Sequence, residues 1–152
     1  KVTKKKVVKK VEDKSLFDIN DVINNNKKKN ELILVIDDDE TSNFITETTL
    51  RSYGYLNKIT IFDNAPDALK YLKTLKENKQ DLPDFILLDI KMPLMDGFEF
   101  LDKCEDFCEI KEDVEVLLLS SSTYSKDKEK ALVRGIDYQT KPLTTDCLNR
   151  YI

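Results

Sequence analysis

The stretch Asp84-Phe85-Ile86-Leu87-Leu88-Asp89-Ile90-Lys91-Met92-Pro93-Leu94-Met95-Asp96-Gly97 decides how this chain folds. It opens on an apolar run, residues 85–88, too short for a helix and flanked by breakers. That pattern predicts a strand buried on both faces of a parallel sheet. Asp89 stands where the strand ends. Lys91, Met92 and Pro93 then form a stiff turn, because Pro93 fixes its own φ and biases Met92 away from the helical region. Gly97 relaxes the backbone ahead of a helical pattern over residues 98–107. Open α/β sheets bind ligands at the carboxyl ends of their strands. Asp89 alone reads equally well as a solvated surface carboxylate or as a reactive one. The flanking chain decides between these readings.

Outward from this stretch, apolar runs and helical patterns alternate. Residues 32–36 form a continuous apolar strand ending in Asp37-Asp38-Asp39. Asp39 or Thr41 is placed to cap a helix over 41–53, with Phe44, Ile45, Thr48 and Leu50 at helical spacing and Gly54 as its stop. Residues 58–62 read as a second strand, more alternating and so nearer an edge. Asn64-Ala65-Pro66-Asp67 starts a helix with Ala68, Leu69, Leu72 and Leu75 as its apolar stripe. After the organising stretch come a strand over 114–119, a helix capped by Ser125 and running to Arg134, closed by Gly135, a strand over 136–140 and a short helix from Thr144 or Thr145. Five strands alternating with five helices predict an α/β fold: a doubly wound, flavodoxin-like five-stranded parallel sheet of order 2-1-3-4-5, with helices on both faces.

Composition narrows the function classes. The 152 residues suffice for one domain with a full core and a little more. Residues 1–30 hold ten Lys against four acids, and the rest holds fifteen Lys and Arg against twenty-five acids. The body is therefore acidic, which argues against a nucleic-acid face. No apolar run is long enough to span a membrane, and no signal-peptide pattern is present. Residues 1–30 read first as a disordered, solvated basic leader or linker, with a short amphipathic helix behind a candidate capping box at Ser15 as the alternative, and residues 31–152 as the folded domain. The chain opens on Lys1, which reads as a trimmed chain or a piece of something longer. The three cysteines read as reduced, structural and cytoplasmic. There is no histidine, so chemistry must run on carboxylates, hydroxyls and lysine.

Four of the five strands present a polar residue at the carboxyl end: Asp37 and Asp38 after the first, Asp89 after the third, Ser120 after the fourth, Lys141 after the fifth. The first and third strands meet at the switch point, so three carboxylates converge there. Clustered carboxylates repel one another unless a cation is present. A hard divalent ion with oxygen ligands satisfies them, and Mg2+ suits a site that handles phosphate. Lys141 brings a point charge able to grip a phosphoryl oxygen, and the Ser120 hydroxyl can donate to the same oxygen. Singly, these residues have ordinary structural explanations as caps and turns. Together and in this order they do not.

Residues 32–152 resemble the receiver domain of two-component response regulators, of the chemotaxis-regulator type. The resemblance lies in Val35-Ile36-Asp37-Asp38-Asp39, Leu87-Leu88-Asp89-Ile90-Lys91-Met92-Pro93 with Met95-Asp96-Gly97, Leu119-Ser120-Ser121 and Lys141-Pro142. The wording around Asn43-Phe44-Ile45 is similar to single-domain regulators of Bacteroidetes. The resemblance implies that Asp89 accepts the phosphoryl group and that Asp38 binds Mg2+ directly. Asp37 would support the ion through water and the backbone carbonyl of Lys91 would complete its protein ligands. Lys141 would bind a phosphoryl oxygen, Ser120 would follow the phosphoryl group when the switch closes, and the Tyr138 rotamer would report the state. The Lys91 side chain lies at a position that bears on phosphoryl lifetime.

The implied function is a phosphorylation-controlled switch charged by a partner phosphohistidine, on a sensor histidine kinase or a phosphotransfer protein. It would act on a downstream protein target, as a monomer or a phosphorylation-dependent dimer. It would not be an enzyme beyond self-phosphorylation from a donor and slow self-dephosphorylation. With no DNA-binding segment after Ile152, the chain as given is expected to work through protein contacts, alone or as a segment of a hybrid kinase or longer regulator. Two alternatives stand beside it. A Mg2+-dependent aspartyl-phosphate phosphohydrolase needs an acid two residues past the nucleophile, where this chain has Lys91. A non-phosphorylated binding module predicts a missing acid, lysine or hydroxyl, and none is missing.

Overall fold

The computed structural model describes residues 32–55, 58–123 and 125–151. The leader over 1–30 and the helix expected near Ser15 lie outside these residues. The strands are β1 (Leu32–Ile36), β2 (Lys58–Phe62), β3 (Phe85–Asp89), β4 (Glu115–Ser120) and β5 (Asp137–Thr140). The helices are α1 (Glu40–Tyr53), α2 (Ala65–Glu77), α3 (Gly97–Cys104), α4 (Ser125–Arg134) and α5 (Thr145–Leu148). All strand pairs are parallel, in the order β2-β1-β3-β4-β5. This is the doubly wound arrangement that the alternation of patterns predicts.

The inner strands β1, β3 and β4 are largely apolar because both faces of the sheet are covered there. Successive side chains go to opposite faces. Leu34, Ile36, Ile86, Leu88, Val116 and Leu118 pack with Ala68 and Leu72 of α2, Phe100 and Leu101 of α3 and Ala131 of α4. Ile33, Val35, Phe85, Leu87, Leu117 and Leu119 pack with Leu50 of α1 and Leu148 of α5. The register sets Ile36 beside Leu88 and Asp89 beside Leu119. The ends of β1, β3 and β4 are thereby brought level. β2 is an edge strand and is only partly covered, as its alternation suggests.

Helix ends follow the local chemistry. Asp39 caps α1 by accepting from the Thr41 amide. Asn64 caps α2, with Pro66 in its first turn. Asp96 and Glu99 form a reciprocal capping box at the start of α3. Thr144 caps α5. Ser125, expected as the cap of α4, is instead its first residue. α3 stops at Cys104, three residues short of the 98–107 expected. The Phe107 amide there bonds the Cys104 carbonyl, three residues back, which tightens the chain out of the α-helix.

The apolar stripe expected for α1 is not the face that the structure buries. Phe44 is 70% exposed and Ile45 is 41% exposed, and Thr48 also faces solvent. The buried face is Asn43, Thr46 and Leu50. Asn43 Nδ2 donates to the Asp37 carbonyl at 2.8 Å, which together with the Asp39 cap and the buried Leu50 is consistent with this rotation of the helix. The inward position of the first turn is thus held by Asn43, a polar residue that serves the strand end. Leu50→Ala is expected to destabilise the fold by about 2–5 kcal/mol, whereas Phe44→Ala stays within about 0.5 kcal/mol of the parent. Urea unfolding of the two variants checks the pair.

Candidate functional site

The site is built where β1, β3 and β5 end. The Asp37 amide donates to the Phe62 carbonyl at 3.1 Å, extending the β1–β2 ladder by one residue. This holds the Asp37 side chain, 3% exposed, over the end of the sheet. Asp38 follows and is exposed to solvent. Asp89, the last residue of β3, is 6% exposed. Ligand oxygens of Asp37, Asp38 and Asp89 all lie within 4.8 Å of one another.

Lys141 enters from the end of β5. Its amide donates to the Ser120 carbonyl at 2.8 Å, which anchors this strand end to β4. The following peptide bond to Pro142 is cis. The side chain is 15% exposed, and its Nζ lies 2.5 Å from Asp37 Oδ2 and 3.1 Å from Asp89 Oδ1. A further donor points at Ser42 Oγ, 3.3 Å away. Asp37 Oδ1 accepts the Asp39 amide at 2.9 Å, so both Asp37 oxygens are engaged.

Charge and burial pull in opposite directions here. Burial pushes the Asp89 carboxyl up to about 6, the Asp37 charge adds to the rise, and Lys141 opposes it. Burial also works against the Lys141 ammonium, but its hydrogen bond to Asp37 and the charges of Asp89 and Asp37 prevail, and its pKa is raised. The ammonium is therefore charged at neutral pH. Three carboxylates face one ammonium, so the cluster keeps an excess of negative charge. Three hard oxygen donors with that excess suit a hard divalent cation better than a soft one.

The loop after β3 is held by close backbone approach. The Gly97 amide donates to the Ile90 carbonyl at 2.9 Å. A Cβ on Gly97 would lie 2.6 Å from the Asp89 carbonyl oxygen and 3.1 Å from Ile90 Cα. Gly97 is thus required because there is no room for a side chain behind Asp89, and not because the backbone relaxes there. The left-handed residue of this loop is Leu94, at φ 68. The Lys91 side chain is exposed.

The structure gathers Asp37, Asp38, Asp89 and Lys141 as the sequence predicts. Ser120 is buried at the end of β4, and its Oγ accepts the Ser122 amide at 3.1 Å. Tyr138 is half-buried, and its hydroxyl donates to the Ser122 carbonyl at 2.5 Å. Both are thus tied to the loop after β4, and the bonds given for them run to Ser122 and not to the carboxylates. Two residues escaped the sequence reading: Ser42, which meets Lys141, and Asn43, which holds the Asp37 backbone. Their one signal was position, in the first turn after the Asp37-Asp38 pair.

Comparison with known proteins agrees with this geometry. The family model described as response regulator receiver domain matches residues 33–152. A two-component response regulator from Cytophaga hutchinsonii superposes with a TM-score of 0.70 at 33% identity, covering 78% of this chain and 90% of that one. A response regulator receiver protein from Dyadobacter fermentans DSM 18053 gives 0.68 at 27% identity, covering 78% and 92%. By sequence, the chain is 28% identical over 100 residues to the Methanothrix harundinacea protein named "Probable methanogenesis regulatory protein FilR2", covering 65% of this chain and 64% of that one. The chain spans less than two thirds of the length of the curated relatives it matches. Among the described residues, no helix is long and apolar enough to cross a membrane.

Two outcomes follow from the packing and the charge. Gly97→Ala is expected to cost about 1–3 kcal/mol of stability through overpacking against Asp89, read by denaturant unfolding. The Asp89 carboxyl, at about 6 in the fold against ~3.9 unfolded, binds more protons folded than unfolded between those values. Its contribution therefore weakens the fold as pH rises from about 4 to beyond 6. In chelator, Asp89→Asn is expected to gain stability relative to the parent over that range. The gain reaches on the order of 1–3 kcal/mol near neutrality, and urea unfolding across a pH series measures it.

Proposed function

This chain belongs to the response regulator receiver domain family, and on that premise we propose that it is a phosphorylation-controlled signalling switch whose acceptor is Asp89. The observation that carries the reading is Lys141 Nζ held between two buried carboxylates, Asp37 and Asp89, at the carboxyl end of the sheet. Such an arrangement keeps a nucleophilic carboxylate and a phosphate-binding cation in contact before any donor arrives.

The chemistry asks for positioning and charge neutralisation more than for covalent help from the protein. An Asp89 oxygen attacks phosphorus in line. A bond from that oxygen to phosphorus forms as the bond from phosphorus to the donor imidazole nitrogen breaks, and the imidazole leaves with the bonding electrons. Asp89 must be ionised to attack, and with a pKa of about 6 it is mostly ionised at neutral pH. Lys141 is positioned to move from Asp89 to an oxygen of the incoming phosphoryl group. A hard divalent cation such as Mg2+, held by Asp37, Asp38, Asp89 and the backbone carbonyl of Lys91, supplies neutralising charge at the phosphoryl oxygens when bound. Membership of the family implies that Asp37 would support such an ion.

Ser120 and Tyr138 carry the signal outward. Both are bonded to Ser122 in the resting loop. A Ser120 hydroxyl that turns to a phosphoryl oxygen gives up its bond to the Ser122 amide and draws the loop after β4 inward. Tyr138 follows, and the face made by α4, β5 and α5 changes. The family points to a phosphohistidine on a sensor kinase or phosphotransfer protein as the phosphoryl donor, and the given chain has no histidine to supply one itself. The target of the changed face is a protein. The free, buried cysteines Cys104, Cys108 and Cys147 support a reducing, cytoplasmic setting. Turnover is confined to uptake of the phosphoryl group from a donor and its slow loss to water.

Intact mass after incubation with a small phosphodonor tests the assignment. One phosphoryl group is expected on the parent chain with Mg2+ and none without it. Asp89→Asn is expected to take up none in either condition. A parent chain that gains no phosphoryl group and binds no phosphoryl mimic overturns the reading.

A further inference from the structure

The Lys141 ammonium has three N–H donors and three protein acceptors. Two are the buried carboxylates of Asp37 and Asp89, at 2.5 and 3.1 Å. The third is Ser42 Oγ at 3.3 Å. Ser42 is itself held. Its hydroxyl donates to Asp39 Oδ2 at 3.1 Å, while Asp39 Oδ1 accepts the Thr41 amide and caps α1. The line Asp39–Ser42–Lys141 therefore runs from acceptor to relay to donor. A carboxylate pulling on the Ser42 proton makes the Ser42 oxygen a better acceptor for the ammonium.

These three acceptors change differently when Asp89 is esterified. The Asp89 carboxylate loses its charge to the phosphoryl group, and the donor aimed at it must move. Asp37 would draw the freed ammonium toward itself and away from the new phosphoryl oxygens. Ser42 is neutral and lies on α1, outside the carboxylate cluster. It does not compete for charge, but it holds one N–H in a fixed direction and leaves the other two aimed at the sheet end.

We infer that Ser42, oriented by Asp39, is a positioning residue that aims the Lys141 ammonium for phosphoryl transfer. It touches neither the phosphoryl group nor the attacking oxygen, and it acts through Lys141 alone. This rests on the reading of Asp89 as the acceptor. It goes beyond that reading by placing part of the control of the reaction in the first turn of α1.

The test uses the full chain with Mg2+ and acetyl phosphate, reading the rate of adduct formation by intact mass. Ser42→Ala removes the relay and is expected to slow phosphorylation about three- to tenfold, the loss of one hydrogen bond in the transition state. Ser42→Thr keeps the hydroxyl and is expected within about twofold of the parent. Asp39→Asn keeps the cap on α1 but turns a donor toward Ser42 Oγ in competition with Lys141. It is expected to slow the reaction in the same direction. A role confined to folding would show as loss of thermal stability in Ser42→Ala and no rescue by Ser42→Thr, and that result overturns the inference. So does an unchanged rate in Ser42→Ala. Proton exchange of the Lys141 ammonium, followed by NMR without any phosphodonor, is expected to speed up in Ser42→Ala. If the parent chain takes up no phosphoryl group, the inference falls together with the function reading. The exchange measurement then still shows whether the tether itself exists, so the two failures are told apart.

Discussion

A lysine 15% exposed, pinned between two carboxylates that are themselves almost wholly buried, is the contact on which the site depends. Taking three charges out of water is unfavourable, and only close geometry offsets it. That geometry is supplied by backbone the cluster does not own. The Asp37 amide is tied to β2, Asp89 ends the central strand, and the Lys141 amide is tied to β4. Shift any of these strands by one residue and each side chain turns to the other face. A slip is opposed because it would draw a strand-end carboxylate such as Asp37 or Asp89 into the apolar core or push an apolar residue out of it.

The same contact explains why the site is poised and not inert. Asp89 is held with its carboxyl pushed up to about 6, near enough to neutrality to be ionised and yet poorly solvated. The remaining excess of negative charge favours a divalent cation. Perturbed groups in a cleft are also found in purely structural networks. Here the cleft lies at a switch point of a doubly wound sheet, where ligands bind, and a family match covers residues 33–152.

The first turn of α1 shows how function reshapes a helix. Its inward positions near the sheet end hold Asn43 and Thr46, while Phe44 lies in solvent. Hydrophobic periodicity assigns Phe44 to the core, because aromatic residues are usually buried. The structure instead turns Asn43 inward, where its amide bonds the Asp37 carbonyl, and leaves Phe44 in solvent. Ser42 reaches Lys141 as a consequence of the same rotation. A local departure from good patterning thus sits at the functional end of the molecule, where such departures are expected.

The elements, their order and the residue type at each strand end were legible in the sequence because each is written locally. Apolar runs bounded by Pro, Gly and Asp mark strands, Asp39 and Asn64 mark caps, and alternation of strand and helix implies a parallel sheet. From that order the convergence of Asp37, Asp38, Asp89 and Lys141 follows. Only the tertiary structure decided the rotation of α1, the third acceptor of Lys141 and the reason for Gly97. Each of these depends on distances between segments far apart in the chain, Lys141 and Asp37 being 104 residues apart. Gly97 illustrates the difference. Its place after a turn was plain in the sequence, but its cause is a carbonyl oxygen 2.6 Å from where its Cβ would stand. Packing distances of that kind are set by the assembled sheet and helices, and no local pattern encodes them.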